Sequence, residues 1–289
     1  MSGVLTQSLA GWQPGTAVLT RRVDPWPAAA FAALTELPLP PPGPGDALPP
    51  LWHWFTLLDH PAHSQTGADG HPASGPFLPP IPGRRRMFAG GRLTLEAPIR
   101  IGAELTSRSG VTAVSVKNGR SGELAFVTVR HELSVDGTTV GAEEQDIVYR
   151  SEPEGTAPRT TPRPGTGEPE PAGEWRRELA TGPVQLFRFS ALTYNGHRIH
   201  YDRPYATKAE GYPDLVVHGP LLALLALDLP RLHAAGRRVR EFQYRLLRPA
   251  FSPARIVAAG SPGPDGTKVQ VTVAAAGAAP SLTGQIVLE

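Results

Sequence analysis

The chain has 289 residues and a formal net charge of +2, from 28 Lys and Arg against 26 Asp and Glu. Because this charge is small and scattered, the sequence does not indicate a nucleic-acid partner. No stretch approaches the ~20 apolar residues of a membrane span, and residues 1–15 lack a signal-peptide pattern. The absence of cysteine excludes disulfides and a cysteine nucleophile. We therefore expect a cytoplasmic protein.

Proline and glycine are concentrated in a few segments, and the longest of these divides the chain. Residues 151–173 consist mostly of Glu, Pro, Gly, Thr and Arg, with almost no large apolar side chain. Such a segment cannot bury enough surface to fold alone, so it is predicted to be a linker. It separates a first half, residues 1–150, from a second half, residues 174–289.

The first half is predicted to contain one helix followed by an antiparallel sheet. Asp24-Pro25 is a helix-start signal, and good helix formers follow over 28–37. Strand patterns cover 92–96, 111–116, 124–135 and 138–149. The pairs Asn118-Gly119 and Asp136-Gly137 favour tight hairpins between neighbouring strands.

The second half shows the same order of signals. A short strand is predicted over 184–189, then a polar turn, then an apolar helix over 221–227. Strands are predicted over 241–247, 255–259, 268–273 and 284–288, with a turn at Pro264-Asp265-Gly266. Each half thus contains one apolar helix followed by an antiparallel sheet. This repeated order predicts an α+β protein with two helix-in-sheet domains.

The helix after Gly219-Pro220 is apolar on every side for about two turns, so protein must surround it. Its first N–H groups have no helical partner and carry partial positive charge. They could stabilise an oxygen that becomes negative during a reaction. A simple core helix is the alternative interpretation.

Polar residues that could perform acid–base chemistry are concentrated just before this helix. The segment from Ser190 to Ala206 reads SALTYNGHRIHYDRPYA, and the segment from Glu210 to Leu221 reads EGYPDLVVHGPL. The candidates in these segments are Thr193, Tyr194, Asn195, His197, His200, Asp202 and His218.

This pattern resembles the MaoC-like hydratases, whose motif runs Gly-Asp-x-Asn-Pro-Ile/Leu-His-x-Asp-x-x-Tyr/Phe-Ala before a Gly-led helix. The run from Ile199 to Ala206 matches the motif without a gap. The chain is most similar to the hydroxyacyl-thioester dehydratase type 2 and mesaconyl-C4-CoA hydratase branch. Segments typical of that branch also occur in the first half: Gly70-His71-Pro72, Phe77-Leu78-Pro79-Pro80, Arg85-Arg86-Met87, Ala89-Gly90-Gly91 and the run from Lys117 to Gly122.

The resemblance implies an α+β double hot-dog fold, in which the second half holds the catalytic motif and the first half shapes the acyl pocket. It implies hydration of an enoyl-thioester, or the reverse dehydration, with His200 as general base. The backbone N–H of Gly219 would stabilise the thioester oxygen. Coenzyme A or an acyl carrier would be part of the substrate, and no other cofactor is implied.

Asn195 occupies a position where the wider family has aspartate. An amide cannot accept a proton at neutral pH, but it can orient a water molecule. The substitution leaves His200 without an obvious carboxylate partner, so His197 could share its work and Asp202 could orient an imidazole. Asn195 could equally form a turn.

Several other site residues are compatible with two roles. Asp202 could pair with a nearby donor or cap the next segment, and His218 could simply precede the helix. Thr193 and Tyr194 could line the site or pack. Arg86 and Arg248 could bind the phosphates of coenzyme A, although a charged cluster is usually a solvated surface. No metal is expected, because no histidine pair at helical spacing is joined to a third ligand.

Two other functions remain open on the sequence alone. A hot-dog thioesterase would use a similar fold and carrier but release a free thiol. A non-catalytic acyl-thioester binding protein would bind without turnover. The sequence also leaves open whether the chain forms a homodimer.

Overall fold

The computed structural model describes residues 3–119, 122–152, 161 and 167–289. Its helices are α1 (Val4–Leu9), α2 (Pro25–Leu34), α3 (Pro183–Leu192) and α4 (Gly219–His233). The strands of the first half are β1 (Thr16–Arg22), β2 (Arg84–Leu95), β3 (Glu104–Gly119), β4 (Gly122–Val135) and β5 (Thr138–Ser151). Those of the second half are β6 (Trp175–Thr181), β7 (Leu215–Val216), β8 (Val239–Leu246), β9 (Phe251–Ser252), β10 (Ala254–Pro262), β11 (Lys268–Ala275) and β12 (Leu282–Leu288).

Within the described residues, ten strands form one sheet in the order β1-β3-β4-β5-β2-β8-β12-β11-β10-β6. All of the neighbouring pairs are antiparallel. A second, small sheet pairs β7 with β9. A wide antiparallel sheet with a few packed helices confirms the α+β double hot-dog prediction. No helix in the described ranges is long and apolar enough to cross a bilayer.

The two halves share this sheet through one strand pair, β2 with β8. Gly90 lies opposite Arg245 in this pair, and Gly91 lies opposite Tyr244. Gly90 has a φ of +145°, and a Cβ built there would lie 2.4 Å from the backbone oxygen of Tyr244. Only glycine fits this close approach without strain.

The predicted hairpin at Asp136-Gly137 is confirmed, since both residues have positive φ, 49° and 78°, between the paired strands β4 and β5. This backbone geometry matches the twist of the flanking strands. Strands β3 and β4 also pair, up to Gly119 opposite Gly122. The turn that joins them, residues 120–121, lies outside the described residues, as does most of the predicted linker, at 153–160 and 162–166.

Helix α4 is the buried helix of the second half. Every residue from Leu221 to Pro230 is buried, and the helix packs on β6, β8, β10, β11 and β12. The predicted helix is therefore confirmed and is longer than its apolar run. In the first half, Phe31 of α2 packs with Trp52 and Phe55 of a 3₁₀ turn, at ring-centroid distances of 5.0 and 4.9 Å.

The strand predicted over 184–189 is wrong, because this segment belongs to helix α3. A short apolar run does not distinguish a strand from a buried helix face by periodicity alone. The buried residues Leu186, Phe189 and Ser190 have helical spacing, and Pro183 occupies the first turn. Gly182-Pro183 therefore begins a helix as Asp24-Pro25 does.

Helices α2 and α3 share a sequence pattern that links the two halves. Both follow Pro-x₅-Phe-x₂-Leu-Thr, from Pro25 to Thr35 and from Pro183 to Thr193. In each, the threonine hydroxyl donates to the carbonyl oxygen of the phenylalanine four residues earlier. The two phenylalanine rings, Phe31 and Phe189, lie 6.1 Å apart where the helices meet. The two halves therefore share this short segment in sequence as well as in structure.

Candidate active site

His200 lies in the 3₁₀ turn Arg198–His200 and is 7% exposed. Its Nδ1 atom is 2.7 Å from the backbone oxygen of Val216. A carbonyl oxygen only accepts hydrogen bonds, so Nδ1 must carry the proton of the neutral ring. Nε2 is then the basic nitrogen, which is the form that a general base requires.

The surroundings of His200 keep its ring neutral. Burial lowers the pKa of His200 to about 4, outweighing the hydrogen bond to Val216, which raises it. Burial also lowers the pKa of His197 and of His218 below the ordinary histidine value. The site therefore contains several unprotonated imidazoles at neutral pH.

His218 joins His200 to the start of helix α4. The two rings stack at 3.6 Å between centroids, and His218 is the residue that precedes the helix. The Nε2 atom of His218 lies 2.8 Å from the hydroxyl of Ser190 on α3. The catalytic imidazole of the sequence hypothesis thus lies beside the opening turn of α4.

Gly219, the first residue of α4, occupies a crowded position. A Cβ built there would lie 2.5 Å from a methyl of Leu246 and 3.5 Å from the ring of Phe88. A larger residue would therefore have to displace the Leu246 side chain, which favours glycine at the start of the helix. Its proposed role as a hydrogen-bond donor stays a prediction.

Asn195 and Asp202 both accept hydrogen bonds from residues close to them in the chain. The Oδ1 atom of Asn195 accepts from the N–H of His197 at 3.0 Å, which is a turn-forming contact. One oxygen of Asp202 accepts from Arg198 at 2.7 Å, and the other accepts from the N–H of Tyr205 at 3.1 Å. These contacts match the turn-forming and capping roles considered above. The His197 ring remains 5.5 Å from that of His200.

Of the predicted site residues, only His197 and Arg86 line the cleft described below. Thr193, Tyr194 and Arg248 also lie apart from the buried histidines. The Thr193 hydroxyl donates to the carbonyl oxygen of Phe189 at 2.8 Å, which caps α3. Tyr194 is 61% exposed and has a positive φ of 50°. Arg248 is exposed beyond the end of β8. Their substrate contacts stay predictions.

The sequence hypothesis missed Asp69 and His71, which a loop of the first half brings to the site. The two residues are joined at 3.2 Å between Asp69 Oδ2 and His71 Nδ1. The His71 ring lies 4.0 Å from the ring of His197. The signal was Gly70-His71-Pro72, a segment noted for its resemblance and not for its chemistry.

A cleft of about 520 Å³ lies between this loop, strand β2 and the catalytic motif. His71, His197, Tyr205 and Tyr212 line it together with a set of charged residues. That set comprises Asp69, Arg84, Arg85, Arg86, Arg150, Glu152 and Glu210. The cleft is therefore a polar and mainly cationic space between the halves.

The arginines of this cleft differ in their hydrogen-bond and ion-pair partners. Arg85 pairs with Glu152 and Glu210. Arg84 donates to the carbonyl oxygens of Pro79 and Ala73. Arg86 makes no hydrogen bond or ion pair with any described residue, although it lines the same cleft. Arg86 is thus the cation that remains free for an anionic ligand.

Comparison with known proteins shows the family of this chain. Residues 51–252 match the family described as hydroxyacyl-thioester dehydratase type 2. The chain belongs to this family. The chain is also 45% identical over 257 residues to a protein of Chloroflexus aurantiacus named mesaconyl-C(4)-CoA hydratase, covering 85% of this chain and 90% of that protein.

Solved structures support the fold of this family member. A MaoC-like dehydratase from Phytophthora capsici has a TM-score of 0.66 at 16% identity, covering 99% of this chain and 97% of that one. A Mycobacterium tuberculosis protein described as a double hot-dog fold has a TM-score of 0.55 at 12% identity, with 97% and 98% covered. At these identities the similarity shows the fold alone.

One cluster of side chains in this dehydratase family member could hold a metal ion, although the sequence led us to expect none. Ligand atoms of Asp69, His71 and His197 all lie within 4.8 Å of one another. Two histidines and one carboxylate are a ligand set that divalent metals use. The sequence argument considered only spacing along one helix, so it could not detect ligands that come from two halves.

The neutral histidines predict that this protein loses stability in acid. Between pH 6.5 and about 4, His200 binds a proton in the unfolded chain but not in the folded one. The free energy of unfolding should therefore fall as the pH drops, by roughly 3 kcal/mol from His200 alone. Urea unfolding at several pH values from 7.5 to 4.5 measures this.

His200→Gln provides the comparison, because its side chain does not titrate. The variant should lose about 1.4 kcal/mol less stability per pH unit over this range than the wild type. Equal slopes for the two proteins would contradict the buried neutral ring.

Proposed function

We propose that the chain catalyses the reversible hydration of an enoyl-thioester, and the reverse dehydration of a 3-hydroxyacyl-thioester. The observation that carries the proposal is the geometry of His200. Its Nδ1–H donates to Val216, so Nε2 is the basic atom, and its ring stacks on His218, the residue that precedes α4. A base beside a helix N-terminus is what this reaction needs.

In the hydration direction, a water oxygen forms a bond to the β-carbon while Nε2 of His200 takes one of its protons. The electron pair of the double bond moves toward the thioester carbonyl, whose oxygen becomes negative. The first N–H groups of α4, beginning at Gly219, would stabilise that oxygen. The imidazolium then returns a proton to the α-carbon, which leaves the ring neutral. Dehydration uses the same steps in reverse.

We propose a coenzyme A ester with a second carboxylate on its acyl group as the substrate. The name of the Chloroflexus aurantiacus relative, mesaconyl-C(4)-CoA hydratase, describes such a compound. Arg86 supports the same choice, since it lines the cleft with His71 and His197 and forms no ion pair within the described part of the chain. A guanidinium binds a carboxylate with two parallel hydrogen bonds.

Two further parts of the proposal concern setting and cofactors. The lack of cysteine is compatible with a reducing compartment, so we propose that the chain works in the cytoplasm. The imidazole chemistry above uses only side chains and backbone, so we propose that no resident cofactor is needed.

Turnover tests the proposal directly. Purified protein is incubated with mesaconyl-C4-CoA, crotonyl-CoA and a long-chain enoyl-CoA, and loss of the conjugated double bond is followed by absorbance. We expect hydration, fastest with the dicarboxylic ester. A thiol-reactive dye detects the alternative, because a thioesterase would release free coenzyme A. Thiol release without hydration would reject the proposed function.

Replacing Arg86 with alanine should change substrate preference. A hydrogen bond to a charged group is worth about 1.5–3 kcal/mol, so KM for mesaconyl-C4-CoA should rise about 10- to 100-fold. KM for crotonyl-CoA, which has no second carboxylate, should change little. Steady-state kinetics on both esters measure the difference.

Arg108→Ala is the matched control, because Arg108 is exposed on β3 and does not line the cleft. It should leave both KM values unchanged. If Arg86→Ala raised KM equally for both esters, Arg86 would bind the coenzyme A portion that they share.

A further inference from the structure

We propose that His71, oriented by Asp69, is a second catalytic imidazole that holds the attacking water for His200. The first half of the chain then supplies a reacting group to a motif that lies in the second half. This inference rests on the proposed hydration and adds a residue to its mechanism.

The motif loop itself offers few groups to hold that water. The side-chain oxygen of Asn195 is taken by the N–H of His197. Both carboxylate oxygens of Asp202 are taken, by Arg198 and by the N–H of Tyr205. A water that loses one proton to His200 needs a second acceptor to fix the direction of its lone pair. The ring of His71, from the first half, is an acceptor outside this loop.

Asp69 and His71 form a pair suited to this role. Asp69 contacts His71 twice, through Oδ2 to the ring Nδ1 at 3.2 Å and through Oδ1 to the backbone N–H at 3.0 Å. Although burial would raise it, the hydrogen bonds from the ring and the backbone N–H of His71 lower the pKa of Asp69, so it is a carboxylate. A carboxylate only accepts, so Nδ1 carries the proton and Nε2 is the acceptor.

His71 is also neutral when the enzyme works. Burial lowers its pKa, and this outweighs the hydrogen bond to Asp69, which raises it. The charge of Arg86 lowers the pKa further. A neutral ring with a free Nε2 can accept a hydrogen bond from water.

The loop that bears this pair is fastened to the catalytic motif. The N–H of Arg198 donates to the carbonyl oxygen of Asp69 at 2.9 Å, and its guanidinium donates to that of Ala68 at 3.0 Å. Gly70 and Gly196 approach so closely that a Cβ on Gly70 would lie 1.9 Å from the Gly196 oxygen. His71 is therefore fixed against His197, whose ring is the neighbour of His200.

A metal held by Asp69, His71 and His197 is the competing use of this cluster. The charges nearby oppose it, since Arg84 and Arg86 act on His71 and both line the cleft. A second positive centre would be repelled there, whereas a neutral water and an anionic substrate would not. The hydrogen bond between Asp69 and the His71 ring, at 3.2 Å, is also a contact that an orienting carboxylate makes.

A double-mutant cycle with His71→Ala and Asp69→Asn tests the proposal in the full-length protein. His71→Ala should lower kcat for hydration about 10²-fold, with KM changed less than about 3-fold. Asp69→Asn should lower kcat about 10-fold, because the ring loses its fixed orientation. In the His71→Ala background, Asp69→Asn should have no further effect, since Asp69 acts through His71.

His63→Ala is the matched control, because His63 is an exposed histidine of the same loop. It should retain wild-type kcat. Unfolding midpoints of all variants are compared with the wild type to separate lost chemistry from lost folding.

Two results would overturn the inference while leaving hydration intact: a His71→Ala kcat within about 3-fold of the wild type, or equal effects of Asp69→Asn in both backgrounds. Stoichiometric metal in the purified protein, together with inactivation by a chelator, would overturn it as well. A wild type that hydrates no enoyl-thioester would instead reject the proposed function.

Discussion

Replacing His200 with alanine is expected to lower kcat/KM for hydration by about 10³-fold, within the 10²- to 10⁴-fold range of general-base catalysis. The imidazole is held by Val216 and stacked on His218, so water cannot reproduce its position. Folding should persist, because alanine leaves no charge in the buried site. Initial rates on mesaconyl-C4-CoA measure the loss.

The pH dependence of the wild type is part of the same expectation. Hydration requires the neutral ring, and burial lowers the pKa of His200 to about 4. The rate should therefore hold as the pH falls below 6.5 and decline only near 4. A decline centred on the ordinary histidine pKa, or a His200→Ala variant as active as His63→Ala, would show that His200 is not the base.

Replacing Gly90 with alanine is expected to cost about 3 kcal/mol of folding free energy. The new Cβ would lie 2.4 Å from the Tyr244 oxygen, at a φ of +145° that other residues rarely adopt. Both the clash and the backbone strain contribute, at about 1–3 kcal/mol each. The midpoint of urea unfolding, at unchanged slope, measures the loss.

Gly43→Ala provides the matched control for this change. A Cβ on Gly43 meets only Asp46, at an ordinary distance of 3.7 Å. Its effect should remain within about 0.5 kcal/mol. If Gly90→Ala were equally mild, strand β2 would have room to move away from β8, and the junction between the halves would be less rigid than described.

The sequence could reveal His200 and the start of α4 because both signals are local. The run from Ile199 to Ala206 has a fixed spacing, and Gly219-Pro220 marks a helix start within the same half. The strands were predictable in the same way, from alternating apolar residues and from turns such as Asp136-Gly137. The eight strands predicted correctly have displaced ends, whereas β1, β6, β7 and β9 were not predicted.

Asp69 and His71 were not predictable as site residues because their role depends on tertiary contacts. They lie about 130 positions before the motif, and the Arg198 contacts to Asp69 and Ala68 bring them to it. The spacing of apolar residues along the chain does not show that this loop packs against the motif. The misassigned segment over 184–189 has a different cause, since six apolar and polar residues are too few to separate a helix from a strand.

The matching helices α2 and α3 have a consequence for stoichiometry. A symmetric pair of identical domains would carry two equivalent reaction centres, one after each Pro-x₅-Phe-x₂-Leu-Thr segment. In this polypeptide only Thr193 precedes a histidine-rich turn, while the first histidine after Thr35 is His53, which is bound to Glu143 at 2.7 Å. We therefore expect the fused chain to have a single reaction centre, to which both halves contribute.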